Sequence, residues 1–183
     1  MIDPSHYLFW ITSRAAGTTA MVFASASVGI GLAAGAKLLK GPDRFNIHQA
    51  FAIATMVAIA VHGLSLLGDT YLRPTLLDVT VPFAFSYKTI PTSIGIIAGW
   101  GMIILGLSYY VRRWIGQQRW KLIHRFTALA WLFGLVHTFT TGTDAGQLWF
   151  IALILLTAAP ALVLLTKRLG RSRPALVPAA AQR

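Results

Sequence analysis

Five apolar stretches, at about 14–36, 46–67, 90–111, 121–140 and 147–166, run through a chain of 183 residues. Each approaches the ~20 residues that a helix needs to cross the hydrocarbon core of a bilayer. Inside that core every backbone N–H and C=O must find its partner within the protein, which leaves helices or closed barrels as the spanning structures. Continuous apolar runs of this length select the helix. The sequence therefore predicts an all-α integral membrane bundle of about five transmembrane helices. Only 11% of the residues are charged and 56% are hydrophobic, whereas soluble domains carry about 25% charged residues.

Turn residues separate the stretches. Gly41-Pro42-Asp43 lies between the first two, Gly116-Gln117-Gln118 between the third and fourth, and Thr141-Gly142-Thr143-Asp144 before the fifth. The connection from Gly68 to Lys88 is the longest, with Pro74 and Pro82 inside it. Its Leu76, Leu77, Val79, Val81 and Phe83 suit a piece lying on the membrane surface.

The net charge is +11, but the cations gather in short connections, not along a stripe with interleaved aromatics. No nucleic-acid partner is expected; the lipid bilayer is the partner that composition demands. Lys37, Lys40 and Arg44 fall in the first connection, Arg112, Arg113, Arg119 and Lys121 in the third, and Lys167, Arg168, Arg171 and Arg173 after the last stretch. The positive-inside bias then puts the N-terminus outside and the C-terminus in the cytoplasm. Residues 1–170 read as one membrane domain, and 171–183 as a disordered, basic cytoplasmic tail. Met1 to Trp10 lacks a basic leader, so no cleaved signal peptide is expected.

Two of the stretches carry histidines. His48 and His62 are fourteen residues apart in the second, His124 and His137 thirteen apart in the fourth. Either spacing rises roughly 20 Å along a helix. One helix separates the two stretches, so both run in the same direction. His48 and His124 should share the cytoplasmic layer, and His62 and His137 the outer one. Ionisable residues inside a membrane are costly and usually functional. The spacing of thirteen turns its ligands about 140° apart on an ideal helix, so the fourth helix should bend, bulge or face its ligands to different sides, and Gly134 is the expected place for a distortion.

Two imidazoles per layer are too few for zinc, and the chain has no glutamate to add. Haem suits them better, because the porphyrin supplies four nitrogens and needs only two axial ligands. The chain has no cysteine, which excludes covalent attachment and iron–sulfur clusters. The expected cofactors are two non-covalent b-type haems, with His48, His62, His124 and His137 as iron ligands. Arg44, Arg119, Lys121 and Arg125 stand near the cytoplasmic layer, with Arg44 and Arg125 the expected propionate partners. Arg73 and Lys88 are the cations on offer to the outer layer. Trp100, Trp131 and Phe133 read as packing residues, and Gly29, Gly31 and Gly35 as points of close helix approach. No Gly-rich phosphate loop follows a strand, so no flavin or nicotinamide site is expected.

On these residues the chain resembles the ferric reductase-like transmembrane domain family. That family includes the membrane parts of ferric-chelate reductases and NADPH oxidases, and the haem subunit of a bacterial methionine-sulfoxide reductase system. The resemblance spans roughly residues 10–166 and rests on the fourteen and thirteen spacings of the histidines. Supporting segments are Gly68-Asp69-Thr70-Tyr71 with Leu76-Leu77-Asp78 and Val81-Pro82-Phe83, Arg119-Trp120 through His124-Arg125, and Gly142-Thr143-Asp144. It implies a stand-alone bacterial member in the inner (plasma) membrane. Electrons would pass from a cytoplasmic donor, through the His48/His124 haem and the His62/His137 haem, to an extracytoplasmic acceptor. The family's full reductases carry a flavin and nicotinamide domain that this chain lacks, so a partner flavoprotein or quinol would be the donor. The alternatives from the residues are a quinol-linked cytochrome b subunit and a non-redox haem- or metal-handling membrane protein.

Overall fold

The computed structural model describes residues 5–171, and among these it is all-helical. Of the tail at 171–183, expected to be disordered, Arg171 is the last residue of the final helix and 172–183 lie outside the described residues. Five helical spans are long and apolar enough to cross a membrane: Tyr7–Gly35, Asp43–Leu66, Thr89–Leu107, Gln117–Thr141 and Leu148–Gly170.

Helix α1 (Ser5–Gly35) begins well before the apolar run at 14–36 that predicted it and continues unbroken through Arg14. That residue is accommodated inside the helix. Its guanidinium lies 4.9 Å from the Trp10 ring and forms a two-pronged pair with Asp144. Helix α2 (Asp43–Leu66) returns along α1. A short helix, α3 (Leu76–Thr80), precedes α4 (Thr89–Leu107), and the four-residue α5 (Arg112–Ile115) leads into the fourth span. That span is two helices, α6 (Gln117–His124) and α7 (Thr127–Thr141), and α8 (Leu148–Arg171) closes the bundle.

Helix α1 packs along α2 and α8 and touches α7, while α4 lies against α7. The buried core is Met21, Ala24 and Val28 of α1, Trp131 and Leu135 of α7, and Phe150 and Ile154 of α8. Lipid tails are as apolar as these side chains, so close packing and interhelical hydrogen bonds hold such a bundle more than water exclusion does. Trp131, 1% exposed, donates from Nε1 to Ser25 Oγ at 3.0 Å, tying α7 to α1. A Cβ added at Gly29 would meet Ala161 Cβ at 3.7 Å, so small residues bring α1 and α8 together.

The distortion expected at Gly134 occurs elsewhere. Helix α7 runs unbroken through Gly134, and the α-helical pattern stops at Arg125 and Phe126. Arg125 N bonds Leu122 O at 3.3 Å, Phe126 N bonds Ile123 O at 3.0 Å, and Ala128 N bonds Arg125 O at 3.2 Å. These are three-residue steps of the tighter 3₁₀ type. Each advances about 120° in place of 100°, so a few of them recover roughly 60° of the 140° by which a spacing of thirteen misses one face. The overwinding sits directly between the two histidines, where it rotates one relative to the other. Gly134 in a helix interior has no such need.

At the opposite end from the basic connections, α3 is held by a capping box. Thr75 Oγ1 accepts from Asp78 N, while the Asp78 carboxylate accepts from Thr75 N at 2.8 Å and Thr75 Oγ1 at 2.7 Å. Trp100 Nε1 donates to Thr80 O at 2.8 Å and pins the segment to α4. The bonds from Thr75 hold the Asp78 carboxyl below its ordinary value. A depressed folded value means that the box supports α3 above the ordinary carboxylate range and releases it as pH falls through the lowered value. Amide exchange over residues 75–81, taken relative to its intrinsic rate at each pH, should lose protection at acid pH. In Asp78→Asn it should be fast already at neutral pH, and unchanged protection there would refute the assignment.

Candidate functional site

The two histidine-bearing helices, α2 and the α6–α7 span, are not packed against each other; they meet through imidazoles. His48 and His124 have ring centroids 6.2 Å apart with planes at 86°. His62 and His137 are 6.4 Å apart at 73°. The structure thus brings together the pairs that topology predicted, one near each end of the bundle.

Three of the rings are fixed by a repeated device. His48 Nδ1 lies 2.9 Å from Ser27 O, His62 Nδ1 2.8 Å from Ser13 O, and His137 Nδ1 2.9 Å from Pro91 O. A backbone carbonyl can only accept, so Nδ1 carries the hydrogen and Nε2 of the neutral ring keeps its lone pair. That tautomer is the one that a metal ligand binding through Nε2 requires. Ser13 and Ser27 add a reciprocal bond, their hydroxyls donating to the carbonyls of His62 (3.1 Å) and His48 (3.4 Å).

Glycine makes the approach possible. Four residues after each accepting carbonyl stands Gly17, Gly31 or Gly95, and each supports the corresponding imidazole. A Cβ at Gly31 would lie 3.2 Å from His48 Cε1, and one at Gly17 2.9 Å from His62 Nδ1. At Gly95 it would overlap the His137 ring outright. Reading from sequence assigned Gly31 to helix packing alone and missed Gly17, Gly95, Ser13 and Ser27. Overpacking costs about 1–3 kcal/mol, so thermal unfolding in detergent should rank Gly31→Ala, Gly17→Ala and Gly95→Ala in increasing order of damage. Gly63→Ala is the control, because nothing lies within 4 Å of its added Cβ. A flat series across all four would refute the ring-cradle role.

His124 departs from this pattern. Its Nδ1 is buried without a hydrogen bond, although the Leu105 carbonyl faces it. Its ring stacks on Trp120 at 5.0 Å and 25°.

Beside His48 and His124 opens a cavity of about 430 Å³, within the roughly 300–1,000 Å³ of small-ligand and cofactor sites. Its wall is mostly apolar, with Thr55, Met56 and Met102 among its residues, and Lys121, Arg125 and Arg168 add cationic groups. Arg125 and Lys121 therefore stand where sequence placed them, and Arg168 of α8 joins them from a segment read only for topology. Arg44 is outside this lining: it donates from Nη1 to Leu39 O at 2.9 Å and lies 4.7 Å from the Phe45 ring. At the other end, Arg73 Nε donates to Thr70 O at 2.9 Å and Lys88 Nζ to Thr140 O at 3.1 Å. Both are engaged with nearby backbone.

Among the described residues no three His, Cys, Asp or Glu side chains gather as a metal site. Each imidazole pair could complete the coordination of a metal ion that brings its own equatorial ligands. Set against models of protein families, curated proteins and solved structures, the chain matches none.

Proposed function

We propose that this chain is the membrane subunit of a ferric reductase-like electron-transfer system, holding two b-type haems one above the other. The observation that carries the reading is the separation within each imidazole pair. Two rings on opposite sides of one metal ion, with metal–nitrogen bonds of about 2.0–2.1 Å and each ring centre about 1.1 Å behind its nitrogen, have centroids about 6.3 Å apart. The two pairs measure 6.2 and 6.4 Å. The Nδ1 bonds of His48, His62 and His137 leave the lone pair on Nε2, that of His137 with the Thr141 hydroxyl 3.4 Å away, and the cavity beside His48 and His124 supplies apolar walls with cations among them.

Bound haem would supply reversible one-electron chemistry, and the protein's contribution is position and environment. His48 and His124 hold one site, His62 and His137 the other, roughly 20 Å apart along α2. The accepting carbonyls of Ser13, Ser27 and Pro91 keep three rings in register and raise their basicity as ligands. Lys121, Arg125 and Arg168 offer positive charge for propionates at the basic end. The apolar lining excludes water, which strengthens those charge interactions.

In this reading the basic end faces the cytoplasm of a bacterial cell and receives electrons from a flavin reductase or quinol. The other end delivers them to an extracytoplasmic acceptor. Membranes purified from an expressing strain should be red. Dithionite should develop a b-type spectrum, and extraction should release two haems per chain. A colourless preparation that takes up no added haem would overturn the reading.

A further inference from the structure

We infer that Trp120 is the positioning residue for His124, taking the place of the backbone hydrogen bond that orients the other three imidazoles, and that the His48/His124 site is in consequence the one whose axial position exchanges. This rests on the haem reading above and adds to it an asymmetry between the two layers.

Three observations on His124 converge. Its Nδ1 is buried and unbonded, whereas His48, His62 and His137 each have a carbonyl within 2.9 Å. On the facing helix Ser108 Oγ donates to the Leu105 carbonyl at 2.6 Å, and that carbonyl meets His124 Nδ1 in no bonding geometry. Tyr109 stands four residues after Leu105, in the place where the other three carbonyls are followed by glycine, so the ring has no cradle to press into. Finally, His124 is the last residue of α6, immediately before the overwound turn at Arg125 and Phe126. Its mounting is thus the end of an eight-residue helix, while His48, His62 and His137 stand within longer ones.

What remains to hold the ring is Trp120, one turn earlier on the same helix. The indole stacks on the imidazole, and it is fixed on its far side. Nε1 donates to Ser108 Oγ at 3.1 Å, and Tyr109 meets the indole edge-to-face at 6.0 Å. A stack resists tilting of the ring but leaves rotation in the shared plane freer than a hydrogen bond does. An imidazole held this way can swing off a metal ion and admit a competing ligand. The other three must first break a hydrogen bond and rise out of a glycine cradle.

The test uses the full-length, haem-loaded protein in detergent, reduced with dithionite and mixed with carbon monoxide. In the wild type one haem of the two should react, and in His137→Ala, which leaves the His48/His124 site intact, that phase should persist. Trp120→Leu should speed it about tenfold, the scale of one aromatic stack acting on a barrier. Trp120→Phe, which keeps a ring in the stack, should stay close to the wild-type rate. Equal reaction of both haems, no reaction at all, or a Trp120→Leu rate equal to wild type would overturn the inference. If Trp120→Leu fails to accumulate, the wild-type and His137→Ala phases decide alone. A wild-type protein without haem would instead overturn the function proposed above.

Discussion

Replacing His62 or His137 with alanine is expected to remove one haem per chain and to reduce transmembrane electron transfer to background, while the His48/His124 haem stays. The argument is geometric. The members of each pair sit on separate helices that do not otherwise pack together, so no neighbouring imidazole can substitute for a lost one. The second pair lies about four helical turns away, roughly 20 Å. Losing a group that merely orients a metal ligand typically weakens metal binding 10–100-fold, so losing the ligand itself should cost at least about 100-fold in affinity for that site. His48→Ala should show the complementary loss. Haem extraction with reduced spectra of the four variants reads the result, together with reduction of a membrane-impermeant acceptor in vesicles. Retention of both haems in His62→Ala would refute the pairing. Loss of both would show that the layers are not independent sites. Ser13→Ala and Ser27→Ala should retain haem with lowered affinity, because the carbonyl that accepts from Nδ1 belongs to the backbone and survives the change.

The spans and the two histidine layers were legible because each depends on a pattern that sequence displays: apolar runs of bilayer length, and two histidine-bearing helices separated by one other. The clasp between α1 and α2 was also written in the chain, though less openly. Ser13 and Ser27 are fourteen apart, as are Gly17 and Gly31, and both repeat the spacing of His48 and His62. Antiparallel helices with a common repeat place Ser13 opposite His62 and Ser27 opposite His48. The signal is faint because glycine and serine serve general packing in membrane helices. Pro91 could not have been found this way, since it contributes only a carbonyl, which every residue has. The helix break after His124 is also unmarked. Arg125 and Phe126 are ordinary helix residues by propensity, and the overwinding there answers the demand that two histidines thirteen apart face one partner helix. Arg44 and Arg125 look alike in sequence, both close to a histidine. They differ in the structure because one stands in the first turn of α2, where the Leu39 carbonyl of the preceding connection claims it, and the other sits beside the cavity.

Breaking the ion pair between Arg14 and Asp144 is expected to cost the bundle about 1–3 kcal/mol, less than a fully buried pair because Arg14 reaches solvent. Arg14 lies inside α1, next to Ser13, and Asp144 lies between α7 and α8, so the pair joins the first span to the last two at the His62/His137 end. The Asp144 side chain is 6% exposed and that of Arg14 38% exposed. The two ends of the pair therefore differ in what they leave behind. Arg14→Ala strands a carboxylate with little water around it, whereas Asp144→Ala strands a guanidinium that reaches solvent and still has the Trp10 ring 4.9 Å away. The first should be the more damaging, and its effect should spread to His62 through Ser13 as weakened retention of the outer haem. Joint replacement, Arg14→Met with Asp144→Leu, should recover most of the loss. Removing both charges abolishes the desolvation penalty together with the attraction, which is why apolar replacements of buried pairs are often neutral or better. Thermal unfolding of the three variants in one detergent measures the order. Equal single effects, or a double variant as unstable as the sum of the two, would mean that the pair is not what holds these spans together.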